Sequence, residues 1–198
     1  GDNGPALGAR LNRPRGLARD DRGNLYVADS ANHRVRMITP AGNIVTVAGT
    51  GVAGGGGDGG PALAAQLDTP AGLAVDAEGN LYLAERGGHR IRRVDSAGRI
   101  STIAGTGQAG AAGDGGPAVQ ARLNSPAGVA VDRDGNVYIA DTGNHRVRFL
   151  GRDGIIRTIA GDGAPGFSGD GGAAHLARLN SPAAVAVDVL GRVYVADL

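Results

Sequence analysis

The 198-residue chain carries 20 arginines against 19 acidic residues, a formal net charge of +1. Near-neutrality removes the bulk pull toward nucleic acid or anionic lipid, and no run approaches the ~18 apolar residues of a membrane helix. With no cysteine and no lysine, disulfides, thiolate metal sites, a cysteine nucleophile and lysine Schiff-base or P-loop chemistry are excluded.

Glycine, at 37 residues, lies far above the ~7% norm, yet it follows no collagen period. The sequence repeats over a longer distance. Tyr26, Tyr82, Tyr138 and Tyr194 are 56 residues apart, and so are Asp2, Asp58, Asp114 and Asp170. Pro14, Pro70, Pro126 and Pro182 keep the same step, as do His33, His89 and His145. The copies run 2–57, 58–113, 114–169 and an incomplete 170–198, with no insertion or deletion between them. No charged-then-apolar segment opens the chain, so a secretion signal is either absent or already removed.

Taken in chain order, the elements of a copy read most plainly in the third. AGVAVD (Ala127–Asp132) is short, apolar and β-branched, a strand. RDGN is a tight turn, VYIAD a second strand, and TGN turns again. HRVRFL alternates polar and apolar residues, as a half-buried strand does. GRDG turns, and IIRTIAG is a fourth strand. The Gly-rich link that follows holds a segment like GGPALAAQL, predicted as one or two helical turns. Asp58 or Asp114 is placed to cap it, with Pro61 or Pro117 in its first turn. Four-stranded units repeated at this scale are propeller blades. The expected fold class is all-β: a β-propeller of four-stranded antiparallel blades, about three and a half of them in this chain.

PAGVAVDRDGNVYIADTGNHRVRFL (Pro126–Leu150) resembles the NHL repeat, named for an Asn-His-Leu signature at the second turn. This chain has Asn-His-Arg twice, and Gly88-His89-Arg90 in the second copy. The GDGGPA…LNSP link is similar to the long-link variety of bacterial NHL proteins and of teneurin-like proteins. The resemblance covers the whole chain and implies a ring of six blades. The chain is therefore expected to be part of a longer propeller, or to assemble with copies of itself. The resemblance also implies a bacterial extracytoplasmic domain. It says little about function, because propellers host many.

In an up-and-down sheet successive turns alternate between faces, so the Asn-His turns and the crossing links are expected on one face. The first strand is expected innermost. His33, His89 and His145 then sit one per blade, away from the axis and too far apart to share an ion. The simplest reading of this cluster is structural. Asp29 and Asp141 accept backbone N–H groups across their turn, each His bonds a neighbouring loop, and each Arg braces the link. The innermost strands carry no His or Glu for an axial metal. GTGVAGGGGDGG lacks the ending of a P-loop, and GDGG offers too few oxygens for calcium. No catalytic, cofactor or metal residue is assigned.

Function, where legible, lies where one copy departs from the others. Arg13 and Arg15 flank the proline of the first copy, and Arg19 replaces Val75, Val131 and Val187. Glu85-Arg86 replaces Asp-Ser or Asp-Thr, Phe167 stands in the third link, and His175 in the fourth helical segment. With the three repeat histidines these are the candidate partner-binding residues, although a plug packed under its loop is the simpler reading of Phe167. The expected function is a non-catalytic scaffold that binds a protein or peptide on its loop-rich face. The alternatives are part of a metal-dependent lyase- or lactonase-like propeller whose active residues lie in other blades, and a repeat module with no ligand. RNA binding is opposed by the charge balance, the lack of Trp and the placing of Tyr at a buried strand position.

Overall fold

In the computed structural model, which describes residues 1–198, the period becomes a series of antiparallel sheets. The first sheet contains β1 (Gly4–Pro5), β2 (Pro14–Arg19), β3 (Leu25–Asp29), β4 (Arg34–Ile38) and β5 (Asn43–Ala48). The second is β6 (Pro70–Val75), β7 (Leu81–Glu85), β8 (Arg90–Val94) and β9 (Ile100–Ala104). The third is β10 (Gly128–Val131), β11 (Val137–Asp141), β12 (Arg146–Leu150) and β13 (Ile156–Ala160). A pair, β14 (Ala184–Val187) and β15 (Val193–Ala196), forms the inner half of a fourth. The innermost strands β2, β6, β10 and β14 abut in order, so the sheets are propeller blades in an open arc.

Two expectations about the link need correction. Its helical segments are single 3-10 turns, Ala62–Ala64, Ala118–Gln120 and Ala174–Leu176, and neither Asp58 nor Asp114 caps them. The capping positions belong to Pro61 and Pro117, which make no side-chain cap, because the carboxylates are committed elsewhere. The link also leaves the Asn-His face. Gly59 and Gly60 exchange backbone hydrogen bonds with Ile100, and Ala62 N–H bonds Gly98 O at the third turn of the second blade. In the first blade the same contact is regular enough to add β1 as a fifth strand. Each link thus covers the outer edge of the blade it enters, which removes an exposed strand edge.

The hydrophobic core lies between blades. One cluster joins Ala28, Val35 and Ala48 to Leu67 of the link and to Leu73, Leu83 and Ile100 of the second blade. Its counterpart one repeat on joins Ala84, Ile91 and Ala104 to Leu123, Val129, Ile139 and Ile156. No blade buries its apolar faces alone, as repeat architectures require. The ends of the arc show this directly: Leu17 is 61% exposed where Leu73 is 7%, and Tyr194 is 53% exposed where Tyr82 is 5%. Among the four tyrosines, Tyr82 and Tyr138 are buried, Tyr26 is half-buried, and Tyr194, in the last strand pair of this chain, is exposed.

Near the axis the blades meet backbone to backbone. A Cβ on Gly72 would lie 2.6 Å from Ala127 O and 2.8 Å from Gly128 Cα. A side chain at this position has no flexible neighbour to displace. Gly72→Ala is expected to cost about 1–3 kcal/mol by overpacking, read as a lower urea midpoint at unchanged slope. An unchanged midpoint would show that the inner strands can separate at no cost.

Candidate functional site

The cluster that first looks like chemistry is organised around a different residue, the second arginine of the third strand. Arg36, Arg92 and Arg148 are buried in every complete blade. Arg148 Nη2 lies 2.7 Å from Asp114 Oδ1 in the link, and Nη1 lies 3.2 Å from Asp141 Oδ2 at the end of β11. Arg92 bridges Asp58 at 2.8 Å and Glu85 at 3.4 Å, and Arg36 bridges Asp2 and Asp29. A register shift between the third and fourth strands sets Arg36 opposite Thr46 and Arg148 opposite Thr158. The two threonine hydroxyls then donate to the same aspartates, Thr46 to Asp2 at 2.7 Å and Thr158 to Asp114 at 2.6 Å. Each guanidinium fastens a link to the sheet it enters.

Alternation along the strand assigns Arg148 to solvent. Both faces of the third strand are in fact covered, one by the next blade and the other by the link. The available signal was the spacing: an Asp 34 residues before the Arg and a Thr 44 residues after that Asp in all three copies.

The Asn-His-Arg turn joins one blade to the next. His33, His89 and His145 take left-handed backbone conformations, φ 50–54°. So do Thr69, Ser125 and Ser181, each just before a proline. Such residues carry strain of order 1–3 kcal/mol. Here both strained sites are held by one bond: Nδ1 of His89 accepts the Ser125 N–H at 3.0 Å, and Nδ1 of His145 accepts the Ser181 N–H at 3.0 Å. Arg34, Arg90 and Arg146 donate to carbonyls of the links, Thr50, Gly55 and Asp162. Asp29 and Asp141 accept backbone N–H groups from Asn12 and Asn124 in the link before their own blade, and the bonds across their own turn come from the side-chain amides of Asn32 and Asn144. Ser30 and Thr142 hydroxyls donate across the blade boundary to Pro70 O and Pro182 O. The histidines are half-buried, with one ring nitrogen already used.

The second blade departs from this pattern inside the protein. Glu85 is fully buried, so it is no candidate for partner contact, and its Oε2 has no hydrogen-bond partner. Gly88 replaces the Asn of the other copies, and a Cβ there would lie 2.6 Å from that oxygen. The longer acid and the missing side chain belong together. Burial pushes the Glu85 carboxyl up to about 8, against the pull of Arg92 and Arg90 and with Asp68 adding like charge. Burial raises Asp141 as well, against its hydrogen bonds.

The remaining candidates divide. Arg15 and Arg86 line one cleft of 430 Å³ at the axial end of the Asn-His face. Arg13 is exposed just before β2 at the same end. Arg19 ends β2, with its guanidinium near Gly23 of the first turn, so it belongs to the opposite face. It joins neither Arg13 nor Arg15. Phe167 is 83% exposed in the link that enters the two-stranded last sheet. His175 is exposed in its 3-10 turn, apart from the other histidines. A second cleft, 650 Å³, opens on the first-turn face between the first two blades. Of its five acids, Asp20 and Asp76 hold Asn24 and Tyr26, and Asn80 and Tyr82, and Asp95 accepts the N–H groups of its own turn, while Asp21 and Glu78 form no side-chain bond within the chain.

Blades, interlocking links and repeated turns define an arc of β-propeller. The family profile of the Teneurin NHL domain matches residues 53–110 and 107–165, and that of the NHL repeat matches 11–37. The chain belongs to the NHL-repeat family. It is 40% identical over 103 residues to human Teneurin-4, covering 45% of this chain and 4% of that protein. To mouse Teneurin-3 it is 33% identical over 172 residues, 80% of this chain and 6% of that one. The chain thus spans a small part of the curated relatives it matches. Among solved structures it is similar to a Bacteroides thetaiotaomicron protein of unknown function, with TM-score 0.74, 21% identity, 94% of this chain and 45% of that one. It is also similar to a chain of a nidogen–laminin complex, with TM-score 0.64, 17% identity, 94% and 57%. A gluconolactonase from Xanthomonas campestris gives TM-score 0.60, 22% identity, 95% and 71%. At these identities the structures share the fold.

Arg148→Ala strands two carboxylates, one of them buried, and is expected to cost about 3–5 kcal/mol. Removing the exposed Arg157–Asp153 pair by Arg157→Ala is expected to cost less than ~1 kcal/mol. Equal losses in denaturant titrations would refute the lock. The second blade supplies a pH test. A carboxyl raised in the folded state binds its proton more tightly there than in the unfolded chain, so stability falls as pH rises from about 4.5 to about 8. The melting temperature is expected to drop across that window, and Glu85→Asp with Gly88→Asn together is expected to flatten the drop. Gly88→Asn alone is expected to destabilise, since its Cβ meets Glu85, and additive single effects would show that the two positions are uncoupled.

Proposed function

We propose that the chain is a non-catalytic propeller scaffold that binds a protein or peptide on its Asn-His face. The observation that carries this reading is the axial cleft, where Arg15 and Arg86 form no ion pair with any acid of the chain. The repeat needs neither residue, as Ala71 and Ala127, and Ser30 and Thr142, stand at the same positions in complete blades. The fold likeness to a chain solved in complex with a second protein supports the same reading. The alternative of a metal-dependent lyase or lactonase is favoured by no residue of this arc. No three His, Asp or Glu side chains are grouped as a metal site would need.

Selection from a random phage-displayed peptide library tests the proposal. Binders are expected to protect backbone amides around residues 12–16, 66–72, 84–90 and 124–128 from hydrogen exchange. Protection confined to the first turns, residues 20–24, 76–80 and 132–136, would place recognition on the opposite face and overturn it.

A further inference from the structure

We infer that the axial cleft is a receptor for a peptide carboxylate flanked by apolar side chains, an inference that rests on the peptide-binding reading of this face. Three observations converge. First, of the fifteen residues lining the cleft, the charged ones are Arg15 and Arg86, and none is acidic. The other walls include glycine, alanine and larger apolar groups such as Leu73, Val129 and Val185, with Thr142 already bonded to Pro182 O. Neither Arg15 nor Arg86 has a counter-charge, and unlike Arg34 and Arg146, which donate to link carbonyls, neither guanidinium has a hydrogen-bond acceptor in the chain. A planar carboxylate fits their forked donors, and its apolar neighbours fit the walls.

Second, the two arginines arise from different blades by independent departures from the repeat. Arg15 comes from β2, where Ala71, Ala127 and Ala183 are its counterparts, and Arg86 follows β7. The two line one concavity from separate blades, and Arg86 belongs to a blade flanked on both sides.

Third, Arg86 costs the fold a bond. Its counterparts Ser30 and Thr142 donate across the blade boundary to Pro70 O at 2.5 Å and Pro182 O at 2.7 Å. The matching Pro126 O receives no side-chain donor, since Arg86 makes no such bond. A residue that weakens a repeated contact and presents an unpaired charge to a cleft fits the pattern in which stability is given up for binding.

The test follows the Nε–Hε signals of Arg15 and Arg86 in the 15N-arginine-labelled protein. Three five-residue peptides with a leucine and a valine around the central residue are titrated. One has an internal glutamate and an amidated end, one has glutamine and a free C-terminal carboxylate, and one has glutamine and an amidated end. Saturable shifts with either carboxylate peptide, at least tenfold tighter than with the uncharged one, are expected, and whichever is tighter names the source of the carboxylate. Arg15→Ala and Arg86→Thr are each expected to weaken binding about tenfold. Arg86→Thr restores the residue of the third blade and is expected to keep or raise the melting temperature, which separates lost binding from lost folding. Arg133→Ala, on an exposed first turn, is expected to change nothing. Equal binding of the uncharged peptide, an equal loss from Arg133→Ala, or no shift at millimolar peptide overturns the inference. If library binders protect the Asn-His face yet show no preference for acids, the scaffold reading stands and the carboxylate receptor falls.

Discussion

The arc depends on a buried guanidinium. Taking an arginine out of water costs several kcal/mol, and the cost is met only when carboxylates and carbonyls surround it. In each complete blade those acceptors come from two places distant in sequence, the end of the second strand and the link that arrives from the previous blade. The arginine is satisfied only when the link lies along the outer edge of the sheet. That placement brings the alanines and leucine of the link between two sheets, where they complete the inter-blade core. One polar requirement therefore sets the course of a long glycine-rich segment that has little secondary structure to guide it.

The lock also accounts for the constant length of the copies. An inserted residue between Asp114 and Ser125 would move either the aspartate away from Arg148 or the strained serine away from His89. Both contacts are fixed at angstrom precision, and both join elements that the chain visits at different times. The histidine bond works between blades and the arginine bond within one. Together they hold neighbouring blades in register across the apolar clusters.

The strands, turns and blade boundaries were legible in the sequence, because a period of two broken by turn residues has few other readings and the repeat states it three times. The innermost placing of β2, β6 and β10 followed from order alone. Three features were hidden for physical reasons. Arg36, Arg92 and Arg148 look solvent-facing by alternation, since a strand covered on both faces has no solvent phase. Asp58 and Asp114 look like helix caps, because a capping acid and an ion-pairing acid have the same local sequence before a proline. Glu85 beside Arg86 looks like one exposed charged pair, although a strand end turns one of them into the core and the other toward the axis. Convergence of Arg15 and Arg86 on one cleft is a property of the stacking of blades, and no window of the sequence contains it.

The repeats act as an internal control, which is how structure and function separate in this chain. A side chain shared by all copies answers to the blade, and its partners confirm it: the histidines, the buried arginines and the tyrosines bound to first-turn aspartates are all occupied. A departure that is internally compensated, such as Glu85 with Gly88, is a local repacking with its own titration. Arg86 is of a third kind. It leaves Pro126 O without the donor its counterparts receive, it is half-buried, and it forms no ion pair, although Asp68, which replaces the Asn12, Asn124 and Asn180 of the other copies, lies against the neighbouring Gly87. The proposed anionic partner would supply the counter-charge that the chain does not. The same logic ranks the other candidates. Arg19 lies away from this face at an end of the arc, whereas Arg15 reaches the same cavity as Arg86 from a second blade, and it is that agreement between two independent departures that gives the face its chemistry.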